Sequence, residues 1–126
     1  MRKKIINIDI YNQGVLVFVG RQKELRKYLK RRDRTDCLVG EFDNILHERT
    51  HNGKVTFDAC TLVLSAGIVL FLENTIDKST LVHECVHIAR IILENIGAYP
   101  SDNDEPYAHL VEYLYREAEE LCFASD

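Results

Sequence analysis

The chain has 126 residues, of which 46% are hydrophobic and 29% are charged, and its formal net charge is −4. This length suits one domain, residues 1–126, with a core of its own, and the composition excludes an intrinsically disordered chain. No apolar run approaches the length that crosses a bilayer, so we expect a cytoplasmic protein without membrane association.

The first elements are predicted to be a β-hairpin. Two β-rich runs, Lys4–Tyr11 and Val15–Val19, flank the turn-forming residues Asn12-Gln13-Gly14. The four cysteines do not occur in the CxxC spacing of a cysteine-bound structural zinc site. We therefore interpret them as small core residues.

A basic segment follows the hairpin. Residues 1–34 contain eleven Lys or Arg and three Asp or Glu, and the excess is concentrated from Arg21 to Arg34. Such a segment would suit an anionic partner such as nucleic acid. It also suits the solvated face of an amphipathic helix that buries Leu25, Tyr28 and Leu29. We favour the solvated helix, because no nucleic-acid motif accompanies the charges, and we expect no nucleic-acid partner.

The middle of the chain, from Asp36 to Leu72, resembles a series of short strands. Asn52-Gly53 is a type I′ turn signal that would join Ile45–Thr50 to Lys54–Asp58. His47 and His51 flank this turn and are expected at the surface. Ala66-Gly67 predicts a third hairpin, whose later strand is Ile68–Glu73.

The next segment predicts a long, mostly buried helix that carries the sequence HECVH, residues 83–87. Several N-cap residues cluster in Asp77–Thr80, and Gly97 suits the position just after the helix. Glu105-Pro106 then predicts the start of a last helix, since proline is favoured in the first turn.

HECVH has the spacing of a metal site. Residues i and i+4 of a helix lie about 40° apart around its axis, so His83 and His87 can bind one zinc ion. Glu84 would then reach a water on the metal and take its proton as general base. Two histidines and a glutamate in an otherwise apolar helix would also be costly to bury without a purpose.

A catalytic zinc site needs three protein ligands and one open position. Glu105 is the candidate for the third ligand, since the last helix can fold back against the motif. An acidic residue at a helix N-terminus is also favoured by the helix dipole without any metal. Asp102, Asp104, His109 and Glu112 are the alternative ligands or partners of ligands, and they lie on the same loop or helix.

The segment from Ser79 to Leu114, with HECVH followed by DEPYA, resembles the motif region of zincin metallopeptidases of the gluzincin type. It is similar in particular to short HExxH proteins of phages and prophages. This resemblance implies that His83, His87 and Glu105 bind Zn²⁺ and that Glu84 is the general base. It also implies that Ile68–Glu73 borders the cleft and offers an exposed edge to a peptide or protein substrate.

We therefore expect an α+β fold, a small zincin-like domain in which a curved, mostly antiparallel sheet packs on the HECVH helix and a C-terminal helix, with three helices in all. The expected function is that of a zinc metallopeptidase. The residue that would stabilise the tetrahedral oxyanion is not assigned. The candidates are Tyr99, Tyr107 and Tyr113.

Two other functions are compatible with the sequence. One is a catalytically silent, zinc-stabilised binding or assembly module of phage type, in which a protein ligand such as His109 would fill the fourth position. The other is nucleic-acid binding by the basic helix of a protein that holds no metal. Water in the fourth position would favour the enzyme.

Overall fold

The computed structural model describes residues 1–33, 35–48, 50–51, 54–55, 59–73, 76–98 and 104–123. Six strands and four α-helices lie in these ranges, which confirms an α+β fold and replaces the three expected helices with four. The strands are β1 (Arg2–Ile8), β2 (Gln13–Val19), β3 (Thr50–His51), β4 (Lys54–Val55), β5 (Ala59–Leu64) and β6 (Gly67–Leu72). The helices are α1 (Gln22–Arg32), α2 (Cys37–Glu48), α3 (Lys78–Asn95) and α4 (Glu105–Phe123).

Four of the strands form one mixed sheet in the order β1-β2-β6-β5. Two of the three predicted hairpins lie in this sheet, since β1 pairs with β2 and β5 with β6 in antiparallel register. In the first hairpin Asn12 adopts the left-handed conformation, with φ of 52°. The two hairpins join through the parallel pair β2 and β6, so two of the three pairings are antiparallel.

The sheet order corrects one expectation about the cleft. We expected Ile68–Glu73 to present an exposed edge, but β6 lies between β2 and β5 and has both edges paired. The reason is the parallel pairing with β2, which connects strands far apart in the chain. The edge strand on this side of the sheet is β5.

Helix α2 corrects the prediction that the chain from Asp36 to Leu72 consists mainly of strands. Val39 and Phe42 are buried, and Leu38, Ile45 and Leu46 are partly buried, which is the spacing of one helical face. The β-favouring side chains suggested a strand, but their period is helical. The expected turn at Asn52-Gly53 lies outside the described residues, although β3 and β4 pair in antiparallel register on either side of it.

Helices cover both faces of the sheet. On one face α1 and α2 pack on side chains that include Phe18, Phe71 and Leu62. On the other face α3 and α4 pack on Val17 and Leu70, which alternate with Phe18 and Phe71 along their strands. Each fully buried Leu, Ile or Phe of these two clusters stabilises the fold by roughly 2 kcal/mol.

Helix α3 begins and ends as the sequence predicts. Asp77 is the N-cap, and its carboxylate accepts a hydrogen bond of 2.8 Å from the backbone N–H of Thr80. Gly97 follows the helix with φ of +70°, a conformation that favours glycine. Among the described residues, no helix combines the length and the apolar character needed to span a bilayer.

Candidate metal site

The HECVH segment lies in the first half of α3, where its three polar side chains point in two directions. Leu81, Cys85 and Ile88 are buried against the sheet and α4. His83 is exposed and His87 is partly buried, so this pair lies at the rim of the packed helix face. Glu84 turns the other way, towards the sheet.

The two imidazoles meet through the nitrogen atoms that would bind a metal. The Nε2 atoms of His83 and His87 are 3.0 Å apart, and the ring centroids are 4.6 Å apart at an angle of 77°. Two nitrogen ligands at about 2 Å from a tetrahedral zinc are separated by about 3.3 Å. The observed distance also suits a hydrogen bond in which one ring N–H donates to the other ring, so the pair is compact with or without an ion.

Glu84 lies beside the edge strand of the sheet. Its side chain accepts a hydrogen bond of 3.3 Å from the Thr61 hydroxyl, which belongs to β5. In the described part of the chain Glu84 is the one polar or charged residue that is buried, with 8% of its surface exposed. A carboxylate in such a place loses hydration, and one neutral hydrogen bond is a small compensation for that loss.

Thr61 is a site residue that the sequence did not reveal. It belongs to no motif, and its contact with Glu84 depends on the packing of α3 across β5. The neighbouring residues Cys60 and Leu62 point to the opposite face of the sheet. The alternation of side chains along β5 shows that Thr61 points to the face opposite Cys60 and Leu62. Only the tertiary structure shows that Glu84 lies on that face.

The expected third ligand, Glu105, begins α4 and is exposed. Its carboxylate lies 3.5 Å from His109 Nε2, one turn further along the same helix. Across the described ranges, no three His, Cys, Asp or Glu side chains are close enough together to hold one metal ion. The structure therefore brings His83 and His87 together without adding Glu105 to them.

The alternatives to Glu105 have other surroundings. Glu112 contacts Arg116 on its own helix. Asp104 is exposed just before α4, and Asp102 lies outside the described residues. The role of Glu105 as a ligand remains a prediction. Glu105 lies two residues before Tyr107, whose hydroxyl contacts α3.

Tyr107 connects α4 to the motif helix. Its hydroxyl donates a hydrogen bond of 3.2 Å to the backbone carbonyl of Val86, the residue before His87. This contact holds the first turn of α4 alongside the histidines. Tyr113 donates to the Asn7 carbonyl at 3.0 Å, on β1, and Tyr99 lies outside the described residues. The hydroxyls of Tyr107 and Tyr113 thus have structural partners.

His47 and His51 were expected at the surface, on either side of a turn. His47 is exposed, as expected, but it lies near the end of α2 rather than on a hairpin strand. His51 belongs to β3.

Comparisons of the chain with protein-family models, with curated proteins and with solved structures found no match.

Proposed function

We propose that the protein is a zinc-dependent metallopeptidase. The observation that supports this proposal best is the 3.0 Å approach of the His83 and His87 Nε2 atoms on the helix that also buries Glu84. The imidazole pair is a donor set that suits zinc, and Glu84, the residue after His83 on the same helix, carries the kind of group that proton transfer requires.

The donor set fits zinc in type and separation. His83 and His87 would be two protein ligands, and Glu105 would be the third, since the Tyr107 contact holds its helical turn beside α3. When bound, zinc would lower the pKa of a water molecule and polarise the substrate carbonyl.

Glu84 would move the proton. Its carboxylate would accept a proton from the attacking water and donate it to the leaving amine. The Thr61 hydroxyl would hold that carboxylate in one orientation from β5. A peptide or protein substrate would be bound in extended form beside β5, which is the last strand of the four-stranded sheet in the described residues.

Metal content is the first test. Purified protein, equilibrated with zinc and then desalted, should contain about one zinc per chain by mass spectrometry, as one three-ligand site requires. His83→Ala should remove the zinc, and Glu105→Ala should weaken its binding. Glu120→Ala is the matched control, because Glu120 is also an exposed α4 carboxylate but pairs with Lys4, and it should retain the zinc.

Turnover is the second test. Glu84→Gln should retain zinc and reduce cleavage of a protein substrate such as casein by about 10²-fold or more, the contribution expected of a general base. Wild-type protein that binds no zinc would contradict the proposal. Wild-type protein that binds zinc and cleaves no member of a peptide library would support the catalytically silent module instead.

A further inference from the structure

The face of the sheet opposite the histidine pair has a basic groove between β1 and α1. The groove has a volume of about 550 Å³. Four cationic side chains line it, and we define the basic groove by these residues and the ring between them: Lys3, Lys27, Tyr28, Arg31 and Arg32. Three of the cations come from α1, and Lys3 comes from β1.

The charges of the basic groove are not neutralised within the described part of the chain. None of its four cations lies within ion-pair distance of a carboxylate there. Arg26, on the same helix, differs, since it forms two hydrogen bonds of 3.0 and 3.1 Å to Asp43. Glu24 also borders the groove, but its carboxylate caps α1 by accepting the Arg21 backbone N–H at 2.9 Å.

The Tyr28 ring contacts two of the four cations. The Lys3 ammonium lies 4.4 Å from the centre of the Tyr28 ring, and the Arg32 guanidinium lies 6.0 Å from it. Buried Leu25 and Leu29 hold α1 on the sheet. The backbone that carries the cations is therefore packed, and the ring contacts of Lys3 and Arg32 reduce the entropy that these two side chains lose when a ligand orders them.

We propose that the basic groove binds the sugar-phosphate backbone of nucleic acid. A nucleic acid presents one negative charge at each nucleotide along a continuous line, which suits cations spread along a helix and an adjacent strand. Two of the four are arginines, whose planar guanidinium groups bind phosphate with two hydrogen bonds. A flat anionic bilayer fits a concave groove less well.

The structure changes our view of the basic segment. The sequence favoured a solvated helix face, and α1 does bury Leu25 and Leu29 as that interpretation requires. Lys3 is the added observation, because the chain order gives no sign that this residue approaches Tyr28. The net charge of −4 matters as well, since a protein of this charge repels polyanions unless a local surface attracts them.

Fluorescence anisotropy with a labelled single strand of about 20 nucleotides, and with its duplex, tests the proposal. If four phosphates are neutralised, the logarithm of affinity should fall with the logarithm of salt concentration with a slope of about −3 for the single strand and about −3.6 for the duplex. Lys27→Glu with Arg31→Glu should lower affinity at low salt by about tenfold or more and halve the slope.

The matched control is Arg90→Glu with Arg116→Glu, which makes the same change of net charge on α3 and α4. This control should retain most of the affinity. An equal loss in both double variants would overturn the proposal, because net charge alone would then govern binding. Absence of binding at low salt would overturn it, and so would equal affinity for polyglutamate or for anionic vesicles. Circular dichroism of both variants checks that the fold is retained.

Discussion

The contact between Thr61 and Glu84 allows a test of why a carboxylate is buried at this point. Glu84 is buried, and its described hydrogen-bond partner is the Thr61 hydroxyl at 3.3 Å. If Glu84 is present for chemistry rather than for stability, its replacement by an apolar side chain of similar size should stabilise the protein. The two informative changes are therefore Glu84→Leu and Thr61→Val.

The expected energies follow from burial and from the length of the hydrogen bond. Glu84→Leu removes a poorly hydrated charge and adds apolar contact, so it should raise the free energy of unfolding by about 1–2 kcal/mol. Thr61→Val leaves the carboxylate without this donor and should lower the free energy of unfolding by about 1–2 kcal/mol. The loss is modest because the hydrogen bond is long for one to a charged group. In the Glu84→Leu background, Thr61→Val should change stability by less than about 0.5 kcal/mol.

Urea denaturation of the four proteins at pH 7, with a chelator present, measures these values without any contribution from bound metal. For a domain of this size, 1 kcal/mol corresponds to a change of roughly 4 °C in Tm, so thermal unfolding provides a check. Thr61→Ser retains the hydroxyl and is the control. A loss of more than about 1 kcal/mol in Glu84→Leu would show that Glu84 supports the fold and would refute this reasoning.

Three further predictions concern local features. Hydrogen bonds from Thr80 and Ser79 lower the pKa of the Asp77 carboxyl below its ordinary value of 3.8. Its stabilising effect is therefore present above pH 3.8 and lost below it, so the Tm deficit of Asp77→Ala should be clear at pH 7 and vanish in acid. In thiol labelling at pH 8, exposed Cys37 should react first. Cys60 and Cys85 should react only on unfolding, because both are buried. Burial also raises the pKa of the Cys85 thiol to about 12. Gly97→Ala should lower the free energy of unfolding by about 1 kcal/mol, because φ is +70° there, although no described residue would touch the added Cβ. Chemical denaturation measures this change.

The elements that could be predicted from the sequence are those with local signals. The hairpin of β1 and β2 follows from two β-rich runs around a turn. The start of α3 follows from a capping aspartate, and its end follows from Gly97. In each case the residues that define the element are adjacent in the chain. The predicted ligands His83 and His87 come together for the same reason, since one turn of helix separates them.

The features that could not be predicted depend on contacts between distant segments. Parallel pairing of β2 with β6 places β5, not β6, at the edge of the sheet. Thr61 reaches Glu84 only because α3 crosses that edge strand. The wrong prediction of strands at α2 has a different cause. The helical period of its apolar residues was present in the sequence, but the β-favouring residue types favoured strands. The predicted third ligand, Glu105, also depends on such contacts, because it belongs to another helix.

The sheet separates the two proposed sites and bears on whether they act together. The histidine pair belongs to the face covered by α3 and α4, and the basic groove belongs to the face covered by α1 and α2. Between them lie fully buried side chains of β2 and β6, Val17 and Leu70 on one face and Phe18 and Phe71 on the other. Coupling between two sites requires that one ligand alter a structure on which the other depends, and a close-packed sheet changes shape little. Removal of zinc should therefore change the affinity for DNA by less than about twofold. A larger change would mean that α3 and α1 influence each other through this core.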